Sequence, residues 1–310
     1  MSDNIEIIVG KSGNDMRLEM WLPENVPGLS RNKANEMIKK GLVKVNDDNG
    51  NKGRKLKEGQ KVTVILEKTA ERHTEQPTVL FENEELVIVN KPAGMPCHPL
   101  RLGEIGTLLD WVAERYPEVR KAGTDEREGG LLHRLDVDTS GAVAFARNRD
   151  SFDKLKPLFL ESGADKYYLA VVEDKTPGLP EIGKSKTIDI PLARHPSKAG
   201  RMIAVISGKE QKRGDIMPAR TEIRTLAKGN GCALIEAKIS RGRMHQIRLH
   251  LATIGHPIIG DAEYGKKDGQ MKRHALHAYR LVLGKIDITA PLPDDIKKLC
   301  ETRKIDLNGF

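Results

Sequence analysis

The sequence predicts an α+β fold: a mixed, largely antiparallel sheet with flanking helices, preceded by a small α/β module. Three observations lead there. Strand-like runs outnumber helical ones, no regular βαβ alternation appears, and a polar stretch ending in Pro77 divides the chain unequally. The length of 310 residues allows one large or two unequal domains. The expected divisions are 14–68 for the small module, 69–78 for a linker and 79–310 for the large module.

In the small module, Leu18, Trp21 and Leu22 fall at i, i+3 and i+4, the apolar stripe of a short helix. After a turn at Pro27-Gly28, Ser30 can cap a second helix in which Ala34, Met37 and Ile38 repeat that spacing. Gly41 stands where a left-handed C-cap belongs. Val43 to Val45 and Val62 to Leu66 read as short strands around a polar loop that carries Lys52, Arg54, Lys55, Lys57 and Lys61. Glu67 to Thr78 has almost no apolar content, so it reads as a linker that lets the modules reorient. Beyond it, Val79 to Phe81 and Leu86 to Val89 bracket a Glu-Asn-Glu-Glu turn, a hairpin signal. Helical patterning appears at Thr107 to Tyr116 and Met244 to Ile254. Ala142 to Ala146, Tyr167 to Val172 and Ala233 to Ile239 read as strands.

Composition narrows the function. With 38% hydrophobic residues the chain can bury a core, and no run of eighteen apolar residues offers a membrane span. The first residues alternate charged with apolar side chains where a secretory signal needs a continuous apolar stretch, so a cytoplasmic location is expected. Cys97, Cys232 and Cys300 are too few and too scattered for a disulfide framework or a zinc knuckle, and no structural metal is expected. Fifty-two Lys plus Arg against 44 Asp plus Glu leave a formal charge of +8. That surplus suits a polyanionic partner such as RNA or DNA, and equally an ordinary solvated basic surface.

Chemistry concentrates in three segments where polar residues are set in apolar patterns and need a partner or a purpose. The first, Leu131-Leu-His-Arg-Leu-Asp136-Val-Asp138-Thr-Ser-Gly141, is a turn running into a strand that can hold Asp136 rigidly. Its Asp-x-Asp pair fits a nucleophile plus acid/base in a glycosidase-like site, two magnesium ligands, or two solvated turn residues. The second, Lys166-Tyr-Tyr168-Leu-Ala170, puts Tyr168 and Ala170 on one strand face, either to stack on a base or because strands favour aromatics. The third runs from Ser240 to Gly265. In it Met244, Ile247, Leu251 and Ile254 mark an amphipathic helix stopped by Gly255, with His245 and Arg248 neighbours on one flank. His245 and His250 are five apart, which argues against a zinc helix, where the spacing is four.

Taken together, His133-Arg-Leu-Asp136-x-x-Thr-Ser-Gly141, Lys166-x-Tyr168-x-Ala170, Gly242-Arg-x-His-Gln-Ile-Arg248-x-His250 and Gly255-His-Pro-Ile-x-Gly-Asp261-x-x-Tyr-Gly265 resemble the RluA-type RNA pseudouridine synthases. Asn90-Lys-Pro-Ala-Gly94 and Leu276-His-Ala278 add to the match, which spans about Val79 to Leu299. The segment before the linker, with Arg17-Leu18, Pro27-Gly-Leu-Ser-Arg31 and Ile38-Lys-Lys-Gly-Leu-Val-Lys-Val-Asn46, resembles an S4-like RNA-binding domain. That arrangement is found in members that modify large-subunit ribosomal RNA, with transfer RNA as the alternative substrate.

The resemblance implies that Asp136 is the catalytic nucleophile, Arg248 its ion-pair partner and Tyr168 the ring that stacks on the target uracil. It implies that Arg134 fills the gap left by the flipped nucleotide. RNA contacts are expected from Arg31, Lys33, Lys40, Arg243 and His245, and from a Lys266, Lys267, Lys272, Arg273 cluster. The isomerisation needs no cofactor, and a monomer without membrane attachment is expected. Met244 stands where the family usually has Thr or Ser, and Cys97 where Val is more common; both read as local repacking. Asp138 occupies a variable position and reads as a turn residue. A non-catalytic RNA-binding or ribosome-assembly factor would not need Asp136, Tyr168 and Arg248 together. A nucleotide hydrolase would gain nothing from an RNA-binding module.

Overall fold

The computed structural model describes residues 4–26, 29, 31–65, 75–99, 104–161, 163–206 and 213–308. The chain divides into two compact units, residues 1–71 with 98–110, and residues 72–97 with 111–310. The expected Pro27-Gly28 turn, the Ser30 cap and most of the 69–78 linker lie outside the described residues.

The small unit contains β1 (Asn4–Ile8), α1 (Leu18–Asn25), α2 (Arg31–Lys39), β2 (Val43–Val45), β3 (Asp48–Asn49) and β4 (Lys61–Ile65). Its strands form an antiparallel sheet in the order β1-β4-β2-β3. The two helical stripes read from the sequence meet the sheet in one core, with Leu18, Trp21, Leu22, Ala34, Met37 and Ile38 packed with Val43, Val45, Val62 and Val64. The unit also takes in β1, which lies ahead of residue 14 and pairs with β4 along its whole length.

Next along the chain come β5 (Thr78–Glu82), β6 (Leu86–Lys91), α3 (Leu108–Arg115), α4 (Val119–Ala122), β7 (Ser140–Ala146), α5 (Arg149–Leu160) and β8 (Ala164–Glu173). They are followed by β9 (Ser185–Asp189), β10 (Leu192–Arg194), β11 (Met202–Ala204), β12 (Arg213–Met217), β13 (Arg220–Gly229) and β14 (Cys232–Ile239). The chain closes with α6 (Gln246–Thr253), β15 (Leu276–Leu283), β16 (Ile286–Thr289) and α7 (Asp294–Thr302). A nine-stranded sheet runs β5-β6-β7-β15-β8-β14-β13-β9, with β16 added on β15. Its named pairs are antiparallel except β7 with β15, so the fold is the α+β type expected. The short strands β10, β11 and β12 form a separate three-stranded sheet.

The parallel β7–β15 contact shapes what lies ahead of β7. At Gly141, φ is 120° and an added Cβ would stand 2.2 Å from the Ala278 carbonyl oxygen, so no side chain fits where the two backbones meet. Alongside, Ser140 Oγ hydrogen-bonds His277 Nδ1 at 2.9 Å and Thr139 Oγ1 meets His274 Nε2 at 2.7 Å. Arg273, expected in a surface cluster, is instead buried. It binds Asp295 through Nε and Nη2 at 2.7 and 2.9 Å, and the carbonyls of Asp138, His274 and Leu276 through Nη1. Its ion-pair partner lies 22 residues away on α7, so no local pattern announces it.

The helix read over Met244 to Ile254 begins two residues later and is not amphipathic: Gln246 to Leu251 are all buried. Each polar member is satisfied from another segment. Gln246 donates to the Arg220 carbonyl at 2.9 Å, and His250 binds Thr221 Oγ1 and the Ile190 carbonyl, both at 2.8 Å. Gly255 does end the helix, with φ at 88° and the next N–H, of His256, returning to the Leu251 carbonyl.

Burial holds His277 down to about 4, and burial with the nearby Arg248 charge holds His274 down to about 3. Both are therefore neutral when folded at pH 7, whereas in the unfolded chain they take up protons below about 6.5. Their contribution to stability is complete above pH 6.5 and declines as the pH falls towards 4, by about 2 kcal/mol for each ring at pH 5. Imidazole NMR signals of His274 and His277 are expected not to titrate between pH 7 and 5 while the unfolding midpoint falls. Titration of either ring near 6.5 in the folded protein would contradict this.

Candidate active site

Asp136 stands in a tight turn ahead of β7, closed by the Thr139 N–H donating to its carbonyl at 3.1 Å. Its sequence neighbours are fixed by buried groups. The Leu135 N–H donates to the Cys97 sulfur at 3.3 Å, and the thiol donates back to the Leu135 carbonyl at 3.5 Å. The Val137 carbonyl accepts from Lys91 Nζ at 2.8 Å and from the Gly94 N–H at 2.9 Å. Arg273 holds the Asp138 carbonyl, and His274 and His277 hold Thr139 and Ser140.

Two of these supports differ from the sequence reading. Cys97 is more than repacking, since it fixes both backbone groups of the residue before Asp136. Lys91 is fully buried and spends its three N–H groups on the carbonyls of Pro92, Met95 and Val137. Burial pulls its ammonium down to about 8. A lysine closing the apolar run Leu86-Val-Ile-Val-Asn was the available signal, because a charge in a buried strand needs partners. Asp138 itself is exposed, as a turn residue should be.

Helix α6 carries Arg248 into the same place. Its guanidinium side chain is 8% exposed and is shared by three carboxylates. Nε and Nη2 bind Asp261 at 2.7 and 3.0 Å, Nη2 also binds Glu263 at 3.1 Å, and Nη1 binds Asp136 Oδ2 at 2.9 Å. Burial opposes the charge on Arg248, but the bond to Asp261 and the charges of Asp136 and Asp261 outweigh it and keep the proton on. For Asp261, burial is likewise outweighed by Arg248 and by the N–H groups of Glu263 and Tyr264, so its carboxyl sits below the usual range. Asp136 is 25% exposed, and its other oxygen, Oδ1, has no hydrogen bond from any described residue.

Tyr168 is buried on β8, paired with Ala237 of β14 and two residues along the strand from Lys166. Burial first, then the neighbouring Asp136 charge, hold its phenol well above the ordinary value. His245 caps α6 from a left-handed backbone, φ 56°, and its Nε2 lies 3.9 Å from Asp136 Oδ2. Asp136, Tyr168, Arg248 and His245, read from three separate segments, thus converge. Asp261, Glu263 and Tyr264 join them, and of these only Glu263 lay outside the quoted motif positions.

Arg134 is exposed on the residue pair before Asp136. Arg243 is half-buried, with Nε donating to the Pro218 carbonyl at 3.3 Å. In the small unit Arg31 is exposed at the start of α2, while Lys33 and Lys40 both pair with Glu36, at 2.9 and 3.2 Å.

A profile of the RNA pseudouridylate synthase family matches residues 85–253, more than half of the chain. This protein belongs to that family. The synthase is therefore an isomerase that converts uridine in RNA to pseudouridine. It is 31% identical to ribosomal large subunit pseudouridine synthase D of Nitrosomonas europaea, over 96% of this chain and 88% of that one. With the Haemophilus influenzae protein of the same name it shares 30% identity over 94% and 92%. The structure of human RNA pseudouridylate synthase domain containing 4 superposes with a TM-score of 0.56 at 23% identity, covering 74% of the synthase and 94% of the human chain, and shares its fold. The matched span holds Asp136, Tyr168, His245 and Arg248, whereas Asp261, Glu263 and Tyr264 lie beyond it. Among the described residues, no helix is long and apolar enough to cross a membrane.

Proposed function

We propose that this synthase isomerises uridines of large-subunit ribosomal RNA, with Asp136 as nucleophile, Arg248 as its ion-pair partner and Tyr168 as the ring against which the everted uracil packs. The observation that carries the reading is the 2.9 Å contact of Arg248 Nη1 with Asp136 Oδ2, which leaves Oδ1 open to attack. An adjacent guanidinium favours the charged, nucleophilic form of a carboxylate. The ribosomal substrate is supported by the two relatives named for it, which align with 94% or more of the chain.

In the reaction the N1–C1′ bond breaks, the uracil turns and C5 bonds to C1′. A proton leaves C5 and one is gained at N1, so no cofactor enters the balance. Attack at C1′ or at C6 uses the same oxygen. Water must be kept out so that the detached uracil is recaptured rather than lost. Extruding the nucleotide costs on the order of a few kcal/mol, offset in part by packing on Tyr168 and by Arg134 filling the vacated stack.

Arg31, Lys33, Lys40, Arg243 and neighbouring cations supply phosphate contacts, with the small unit acting as an S4-like RNA-binding domain. Such contacts position the RNA without reading its sequence. Glu36 holds Lys33 and Lys40 in the free protein, so RNA phosphates must compete with it for both ammonium groups.

Two measurements test this. Pseudouridine mapping of large-subunit ribosomal RNA from cells lacking the gene is expected to show missing sites that the wild-type gene restores and Asp136→Asn does not, although that variant binds RNA normally. Restoration by Asp136→Asn would refute the nucleophile; an unchanged ribosomal map would refute the substrate. Replacing Arg31, Lys33 and Lys40 by Ala should lower the slope of log affinity against log salt by about 3 in magnitude. An unchanged slope would place the phosphate contacts elsewhere.

A further inference from the structure

His245 is a strained, half-buried imidazole beside the reacting group, and its hydrogen bonding points to a role other than RNA contact. A non-glycine residue in the left-handed region persists only where its surroundings demand it, and such residues cluster at functional sites. Here the conformation swings the ring out of α6 and towards Asp136. Its Nδ1 lies 2.9 Å from Tyr264 Oη, and the two rings meet edge to face, 5.6 Å between centroids.

Glu263 Oε2 also faces Nδ1, at 3.5 Å, but Tyr264 Oη is nearer at 2.9 Å and sets which nitrogen carries the proton. Its hydroxyl oxygen already accepts the Met202 N–H at 3.0 Å, and the Met202 carbonyl stands back at 3.4 Å. The nearer acceptor for the hydroxyl proton is therefore His245 Nδ1. That leaves the imidazole proton on Nε2, the nitrogen 3.9 Å from Asp136 Oδ2. The chain Met202 N–H, Tyr264 Oη–H, His245 Nε2–H runs from the three-stranded sheet to the carboxylate. Burial, outweighing the carboxylates around it, keeps the ring below its usual pKa and so uncharged near neutrality.

We infer that His245 is a positioning residue for the isomerisation, fixed by Tyr264 as the Nε2–H tautomer that closes on Oδ2 of Asp136. Together with Arg248 Nη1 it occupies the same oxygen, so that Oδ1 alone is presented to the nucleoside. The 3.9 Å separation shortens when the site closes on RNA, as catalytic hydrogen bonds do on substrate binding. This rests on Asp136 being the nucleophile. It differs from the expectation that His245 contacts RNA, because a contact residue acts on affinity and a positioning residue on the chemical step.

The test combines kinetics with spectroscopy. His245→Asn tolerates the left-handed backbone but cannot reach Oδ2. Under single turnover with saturating RNA it is expected to slow isomerisation by about 10²-fold, as misplacement of a reacting group does, with RNA affinity unchanged. A loss that appears only as weaker RNA binding, or a rate within twofold of wild type, would overturn the proposal. In the wild-type protein, ¹⁵N NMR of the imidazole should report the proton on Nε2, with Tyr264→Phe shifting it towards Nδ1. A proton on Nδ1 in the wild type would overturn it independently of any variant. Asp136→Asn in the same assay separates the two readings: if that variant is active, the nucleophile assignment fails, and if it is inactive while His245→Asn is fast, only the role of His245 fails.

Discussion

A buried guanidinium has five N–H donors in a fixed fork and loses the solvation of its charge, so it tolerates burial only where acceptors surround it in one plane. Arg248 meets that requirement with three carboxylates, and the local structure follows from their placement. Asp261, almost fully buried, grips Nε and Nη2 and is itself oriented by the N–H groups of Glu263 and Tyr264. This bidentate grip sets the plane of the fork and leaves Nη1 directed at Asp136. The pair most relevant to chemistry is thus aimed by a contact that lies outside it.

The carboxylate end is constrained just as closely, by different means. A sulfur, an ammonium, a guanidinium and two imidazoles fix the backbone or hydroxyl groups of residues 135 and 137–140 around Asp136. The absence of a side chain at Gly141 lets β15 approach β7, bringing His277 against Ser140. Orientation achieved before substrate arrives is worth far more to a reaction than the same contact formed afterwards. The same crowding places buried polar atoms where a lost partner is costly, so the turn is stabilising only while all its partners remain.

The strands and the polar residues of the site were readable in the sequence to different depths. Apolar runs such as Leu86 to Val89 and Ala142 to Ala146 became buried strands because length and composition alone dictate them. Asp136, Arg248 and Tyr168 stood out as polar groups within apolar patterns. What could not be read were partners brought from afar. Arg273 looks like part of a basic surface run until Asp295 and the Asp138 carbonyl come to it. The period of α6 suggested one apolar face, yet Arg220, Thr221 and Ile190 satisfy its polar residues and allow them to be buried. Strands β10 to β12 are too short, three to five residues each, to give a periodic signal. Nevertheless the sheet they form holds Tyr264, through Met202, beside the site.

The central claim is that one aspartate oxygen performs the attack, and it is tested most directly on RNA whose target uridine carries fluorine at C5, which cannot leave as the natural proton does. After attack at C6 the aspartyl bond persists, so reaction mixtures separated under denaturing conditions and mapped by mass spectrometry should carry the RNA-derived mass on the peptide containing Asp136. Attack at C1′ instead frees the carboxylate when C5 bonds to C1′ and leaves only rearranged fluorinated RNA. A covalent adduct on any other residue, formed at a rate that matches turnover of natural RNA, would contradict the account.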